Sequence, residues 1–377
     1  MRAEDVPTML KIIFPTTLDN YIHGIIGGDL LIGYAMRIAV YKDSLSTGRG
    51  ADRAVRNLAA GLSERGHEVS LMEKGEFLAR MSESGADGAG RFDVIVAAGS
   101  NEIVDIDATG YFDRPRRAKV VLQLHLAPRG FFKWRHPLRN RRIRRAFNRA
   151  DAVQVLCRSY VEEFGRIAPR PPVAVIGNYT EMRPPAGYRP SSVGRQRPPA
   201  ILYPAAALNR IKNQKLLIGA FALLADDFPE WRVRLLGKDT TPYAKTCRRL
   251  VAKRGLDSRV DFAGFTDDLA GEYSKASFIA FPSVLEGFPL AVLEAAQFSL
   301  ATVAQRSLPG IDDIVTEDAG IVTATSVASY AEGLRRMMSD PALCADMGDR
   351  ARLHCSECFS RGKILDQWEA LLESVVK

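Results

Sequence analysis

Two carboxylates, Glu286 and Glu294, stand eight residues apart within residues 282–296, PSVLEGFPLAVLEAA. Between them a turn, Glu286-Gly287-Phe288-Pro289, leads into an apolar run of good helix formers. Pro289 suits the first helical position, where its missing N–H costs nothing. This places Glu286 on the loop entering a helix and Glu294 about a turn and a half inside it. A helix start offers unpaired N–H groups and the positive end of a dipole, a seat for a phosphate. The chemistry implied is polyhydroxylated and phosphorylated: carboxylates for hydroxyls, amides for a phosphate. The plainer reading is also open, since an acid near a helix start is favoured by the dipole alone.

Other chemistry-bearing residues lie at strand ends. Gly48-Arg49-Gly50 forms a loop between an apolar strand and a helix, where glycines let backbone amides approach a phosphate or sugar. His125 closes the apolar run VVLQL, at the edge where open α/β sheets bind ligands. The run Asn209-Arg210-Ile211-Lys212-Asn213-Gln214, with two cations, leads from a strand into a helix. Asp105-Ile106-Asp107 is formally a metal-binding spacing but follows no clear strand. Cys355-Ser356-Glu357-Cys358 lacks the second ligand pair that zinc needs, and reads as helix.

The elements that must position these groups read as alternating strands and helices. Strands fall at 36–41, 67–72, 92–98, 119–124, 152–156 and 173–176, then at 201–204, 232–236, 260–263 and 278–282. This alternation argues for doubly wound parallel sheets. The 377 residues suit two domains, and the Pro-, Gly-, Ser- and Arg-rich segment 184–199 reads as the linker between a domain at 36–183 and one at 200–358. Residues 359–377 read as a final amphipathic helix. Residues 1–35 fit no period and read as a poorly ordered extension outside the first domain. Five cysteines give no disulfide framework, which fits a reducing cytoplasm. No apolar run is long enough to span a bilayer.

Net charge is +8, and part of the excess sits between Arg129 and Arg149, with nine Lys or Arg and no acid. Phe131, Phe132, Trp134, Ile143 and Phe147 are interleaved. Such a stretch suits an anionic membrane surface, a solvated helical face or, last, nucleic acid, for which no recognisable module is present.

The pattern P-S-x-x-E-G-F-P-x-x-x-x-E-A resembles the nucleotide-sugar signature of retaining glycosyltransferase family 4. That resemblance implies the GT-B fold, two Rossmann-like domains facing across a cleft, with the last helix crossing back to the first. It implies transfer of a hexose from a nucleotide diphosphate sugar, with GDP-mannose the leading donor, to a saccharide or lipid-linked acceptor such as a lipopolysaccharide core. Glu286 and His125 would bind the donor sugar, and Lys212 and Arg210 the diphosphate. Glu294 would take the ribose, with backbone amides around Gly287, Phe288 and Leu290 assisting. The Gly48–Gly50 loop would face the acceptor. No metal and no cofactor are expected, and the place of work is the cytoplasm, peripheral on the inner membrane. The sequence departs from the family where an arginine is replaced by Ala207, a Gly and a Pro by Ser299 and Ala301, and a glutamate by Asp313. Two rival activities stand beside this one, a sugar-nucleotide epimerase and a nucleic-acid-binding protein.

Overall fold

The computed structural model describes residues 35–45, 50–83, 92–115, 117–132, 136–190 and 199–377. The expected extension (but for Ala35), Gly48, Arg49 and residues 191–198 of the expected linker lie outside the described residues. The chain divides into two compact units, Met1–Gly177 with Ile364–Lys377, and Asn178–Lys363.

The first unit is built on β1 (Arg37–Lys42), β2 (Glu68–Glu73), β3 (Val94–Ala97), β4 (Lys119–Gln123), β5 (Ala152–Val155) and β6 (Val173–Val175). They form one sheet in the order β2-β1-β3-β4-β5-β6, every pair parallel. β3 and β5 are buried along their whole length, which is why they read as continuous apolar runs rather than alternating ones. The helix Gly50–Glu64 covers the sheet with Val55, Leu58 and Leu62 inward. The last helix, Arg361–Val376, buries Ile364, Leu365, Trp368, Leu371 and Leu372. Its Asp366 and Glu369 take Arg65 at 2.6 Å and His67 at 3.1 Å.

The second unit holds β7 (Ala200–Tyr203), β8 (Arg232–Leu236), β9 (Val260–Gly264), β10 (Phe278–Phe281), β11 (Thr302–Gln305) and β12 (Gly320–Thr323). Their order is β12-β11-β10-β7-β8-β9, again all parallel. Counted from β7, this is the dinucleotide-binding order, with its reversal between β7 and β10. In the first sheet the reversal lies between β1 and β3. Loops leaving the carboxyl ends at a reversal diverge and open a crevice, so those four loops are where ligand chemistry is expected. The strands read from the sequence end within two residues of the observed ones, but β11 and β12 were not among them.

Candidate functional site

The loops after β7 and β10 carry Lys212 and Glu286, and they meet. Lys212 Nζ lies 2.5 Å from Glu286 Oε1, with both side chains mostly buried. Backbone holds the loops together, because Val284 N–H donates to Ile211 O at 2.8 Å. Below them the Tyr203 hydroxyl donates to Lys212 O at 2.9 Å. Burial drives the Tyr203 pKa well above its ordinary value, so it stays a donor. Lys212 N–H is held by Asn209 Oδ1 at 3.0 Å, and Asn213 takes a left-handed φ of 53° to start the helix Gln214–Phe221. Asn tolerates that conformation better than most residues. The Lys212 ammonium also stands 5.9 Å from the centre of the Phe281 ring.

Glu294 is buried in the helix Leu290–Gln297 and accepts from the Tyr273 hydroxyl at 3.0 Å. Phe288 packs edge-on against Phe359, ring centres 5.5 Å apart. Pro289 caps this helix rather than occupying its first turn. Leu290 N–H already donates to Phe288 O at 2.9 Å, and Val292 N–H to Pro289 O at 2.8 Å. The phosphate seat expected at this helix start is therefore partly filled by the chain's own carbonyls.

Arg210 is exposed in the same loop as Lys212. Ala207, where an arginine is usual, is a backbone partner of Lys238. Gly237 makes this approach possible. Its φ is +110°, and a Cβ there would stand 2.4 Å from Ala205 O. Ser299 stands where the resemblance implies a glycine, and the geometry has an evident use for one, since its φ is 50° just past the helix end.

In the first unit, β4 ends before His125, whose two ring nitrogens are buried with no hydrogen-bond partner among the described residues. The residue as a whole keeps some exposure. Burial, then the charge of Lys42, against that of Asp52, pushes its pKa down to about 3. His125 is thus a neutral imidazole, one nitrogen a donor and the other an acceptor. At the β1/β3 reversal, Lys42 pairs with Glu102, which is 2% exposed and also accepts Asp43 N–H at 3.0 Å. Of the expected glycine loop only Gly50 is described, as the first residue of its helix.

Sequence reasoning missed Lys42, Glu102 and Gln214. Lys42 and Glu102 are 60 residues apart, and only the sheet order joins them. Gln214 is fully buried, and neither carboxamide atom has a partner among the described residues. Its signal was present in the Lys-Asn-Gln run, which was read for its lysine alone.

Asp105 and Asp107 lie on the helix Ser100–Ala108, not on a loop. Asp105 takes the Tyr41 hydroxyl at 2.7 Å and Lys74 at 2.9 Å, while Asp107 pairs with Arg149 at 2.9 Å. Among the described residues, no group of three or more His, Cys, Asp or Glu could hold a metal ion. The basic stretch also needs correction. Phe131, Ile143 and Phe147 are buried, and Phe147 stacks on Phe164, so these apolar residues are core rather than membrane-facing. Lys133, Trp134 and Arg135 lie outside the described residues.

Two parallel six-stranded sheets with helices, one of them in dinucleotide-binding order, define the GT-B fold of glycosyltransferases. The crystal structure of Anabaena Alr3699/HepE in complex with UDP superposes with a TM-score of 0.74, at 20% identity, over 90% of this chain and 100% of that one. Residues 188–354 match the family model described as glycosyl transferases group 1. An exopolysaccharide phosphotransferase of Streptomyces coelicolor is 33% identical over 233 residues, 60% of this chain and 24% of the relative. The lipopolysaccharide core biosynthesis mannosyltransferase LpcC of Rhizobium leguminosarum is 31% identical over 161 residues, 40% of this chain and 45% of the relative. The chain spans less than half the length of the curated relatives it matches first.

Proposed function

We propose that this protein is a retaining, metal-independent glycosyltransferase. It moves a hexose from a nucleotide diphosphate sugar to a hydroxyl of a saccharide or lipid-linked acceptor in cell-surface glycan synthesis. The observation that carries the reading is the Lys212–Glu286 pair at the β7/β10 reversal. Lysine has three N–H donors, so Lys212 can keep Glu286 and still meet a diphosphate. Negative charge grows on that diphosphate as the sugar leaves, and a fixed cation counts most at that moment. Glu286, oriented by Lys212, accepts hydroxyls of the transferred sugar. Glu294, oriented by Tyr273, takes the ribose. Arg210 supplements Lys212 in place of the arginine that the resemblance implies at position 207. The leaving diphosphate helps to deprotonate the acceptor on the face it departs from, which preserves the anomeric configuration.

Mannose from GDP-mannose is the leading donor, supported by the likeness to the mannosyltransferase, and a UDP-hexose is its rival, supported by the likeness to a UDP complex. The exposed arginines of the helix Pro137–Phe147 support work at the cytoplasmic face of an anionic membrane. The test is a panel of GDP- and UDP-sugars, each scored for thermal stabilisation and for transfer to saccharide and lipid-linked acceptors with a chelator present. One donor should raise the melting temperature and support transfer. Conversion of a nucleotide sugar with no acceptor would replace this reading by the epimerase, and activity only with added divalent cation would remove the metal-independent mechanism.

A further inference from the structure

The CxxC at the end of the helix Pro341–Cys358 is a second chemical cluster, apart from the Lys212–Glu286 pair. His354 Nε2 lies 3.1 Å from Asp313 O. A backbone carbonyl only accepts, so Nε2 carries the proton of the neutral ring. Nδ1 is then left with its lone pair, and it faces Cys358 Sγ at 3.7 Å. The arrangement is thiol, imidazole and orienting carbonyl, the order in which a base activates a sulfur nucleophile. Cys358 is partly exposed, whereas Cys157, Cys247, Cys344 and Cys355 are buried. Burial, then the neighbouring Cys358, pushes the Cys355 thiol up to about 12, so Cys355 is not the first to react. Cys355 and Cys358 are three positions apart, a helix spacing that brings Cα atoms to about 5 Å, inside the span of a disulfide. One effect opposes reactivity: Cys358 closes its helix, where the negative end of the dipole disfavours a thiolate. His354 is the group that offsets it.

We propose that Cys358 is a modification site for small-molecule disulfides and soft electrophiles, with His354 as its base and Cys355 as the resolving thiol. In the first step the Cys358 proton passes to His354 Nδ1 and the thiolate attacks one sulfur of a disulfide RS–SR. A Cys358–SR bond forms, the RS–SR bond breaks, and the RS⁻ released takes the proton from His354. Cys355 then attacks the Cys358 sulfur. The internal disulfide forms, and the second RS⁻ leaves with the Cys355 proton. Two protein thiols are oxidised and one external disulfide is reduced to two thiols.

The test is labelling of the full chain at pH 7 with iodoacetamide and with oxidised glutathione, followed by peptide mass mapping. Cys358 should react first, about tenfold faster than the thiol of free glutathione, and His354→Gln should remove that advantage. With oxidised glutathione, the wild-type chain should end as the internal disulfide, and Cys355→Ser should keep the mixed disulfide. A Cys358 rate at or below that of the free thiol overturns the proposal, and the wild-type chain alone decides this if His354→Gln fails to fold. An unchanged rate in a folded His354→Gln chain overturns the role of the base. A mixed disulfide that persists in the wild-type chain overturns the role of Cys355.

Discussion

The carboxylate of Glu102 occupies the space a side chain at Gly99 would need. A Cβ at Gly99 would stand 2.5 Å from Glu102 Oε2, and the Gly99 φ of +144° disfavours any other residue. Glu102 cannot swing away cheaply, because Lys42 and Asp43 N–H hold it. Gly99→Ala should therefore destabilise the chain by about 1–3 kcal/mol, through backbone strain and a weakened buried pair. Urea melts of the two proteins measure this, and a loss below about 0.5 kcal/mol would show that the pair is free to rearrange.

Lys212→Met and Glu286→Gln each remove one half of the pair that carries the proposed function. Both should lower kcat/KM by about 10²–10³-fold with the circular dichroism spectrum unchanged. Arg210→Ala should cost about tenfold if its guanidinium reaches the diphosphate. Steady-state kinetics with the donor found by screening decide, and a loss under tenfold for Lys212→Met would move the cation role elsewhere.

Much of this was legible in the sequence, for identifiable reasons. β3 and β5 are short apolar runs bounded by turns, so their strands could be read directly. Lys212 and Glu286 could be named because each sits in a local run of distinctive residues. That they touch could not be read, since it depends on the reversal of strand order between β7 and β10. The same reason hid Lys42–Glu102. β11 and β12 escaped because their ends carry Thr302, Gln305, Gly320 and Thr323, whose polarity masks burial under the helix Val327–Ser339. Tyr330 of that helix donates to Val303 O at 2.8 Å. Phe131 and Phe147 misled because aromatics among arginines look the same in sequence whether they face lipid or the core.

Ser299 holds a left-handed φ of 50° immediately beyond the helix Leu290–Gln297 and its cap Phe298. A Cβ in that conformation meets the following carbonyl, at a cost of roughly 1–2 kcal/mol. Ser299→Gly should thus stabilise the protein by about 0.5–1 kcal/mol, part of the gain being offset by the freer unfolded chain. Thermal melts check it, and a lower melting temperature would mean that the hydroxyl of Ser299 contributes more than the strain it introduces.

Arg141 and Arg142 are exposed on the helix Pro137–Phe147, whose Ile143, Ala146 and Phe147 face the core. With the buried aromatics unavailable for insertion, the proposed membrane binding would be chiefly electrostatic. Each arginine near an anionic surface contributes about 1 kcal/mol. Arg141→Glu with Arg142→Glu should reduce sedimentation with phosphatidylserine vesicles by at least about tenfold, and raising salt should do the same to the wild-type chain. Tighter binding to duplex DNA than to such vesicles would make the nucleic-acid reading the better one.

The neutral state of His125 has a consequence for acid stability. Burial lowers its pKa from 6.5 to about 3 in the folded chain, while the unfolded chain keeps the ordinary value. Between those values the unfolded chain binds the proton and the folded chain does not. The contribution of a neutral His125 is therefore complete above about pH 6.5, and it is lost as pH falls toward 3. Its loss between pH 7 and pH 4 is on the order of 3 kcal/mol. Asp93, held below the usual carboxylate range by Arg37, adds a further loss only at the acid end of that span. His125→Phe cannot take up the proton, so its stability should fall less steeply between pH 6.5 and pH 5.5, where carboxylates have scarcely begun to titrate. Urea melts at half-unit steps across that interval compare the two slopes. Parallel slopes would mean that the imidazole is charged, or reaches water, in the folded protein.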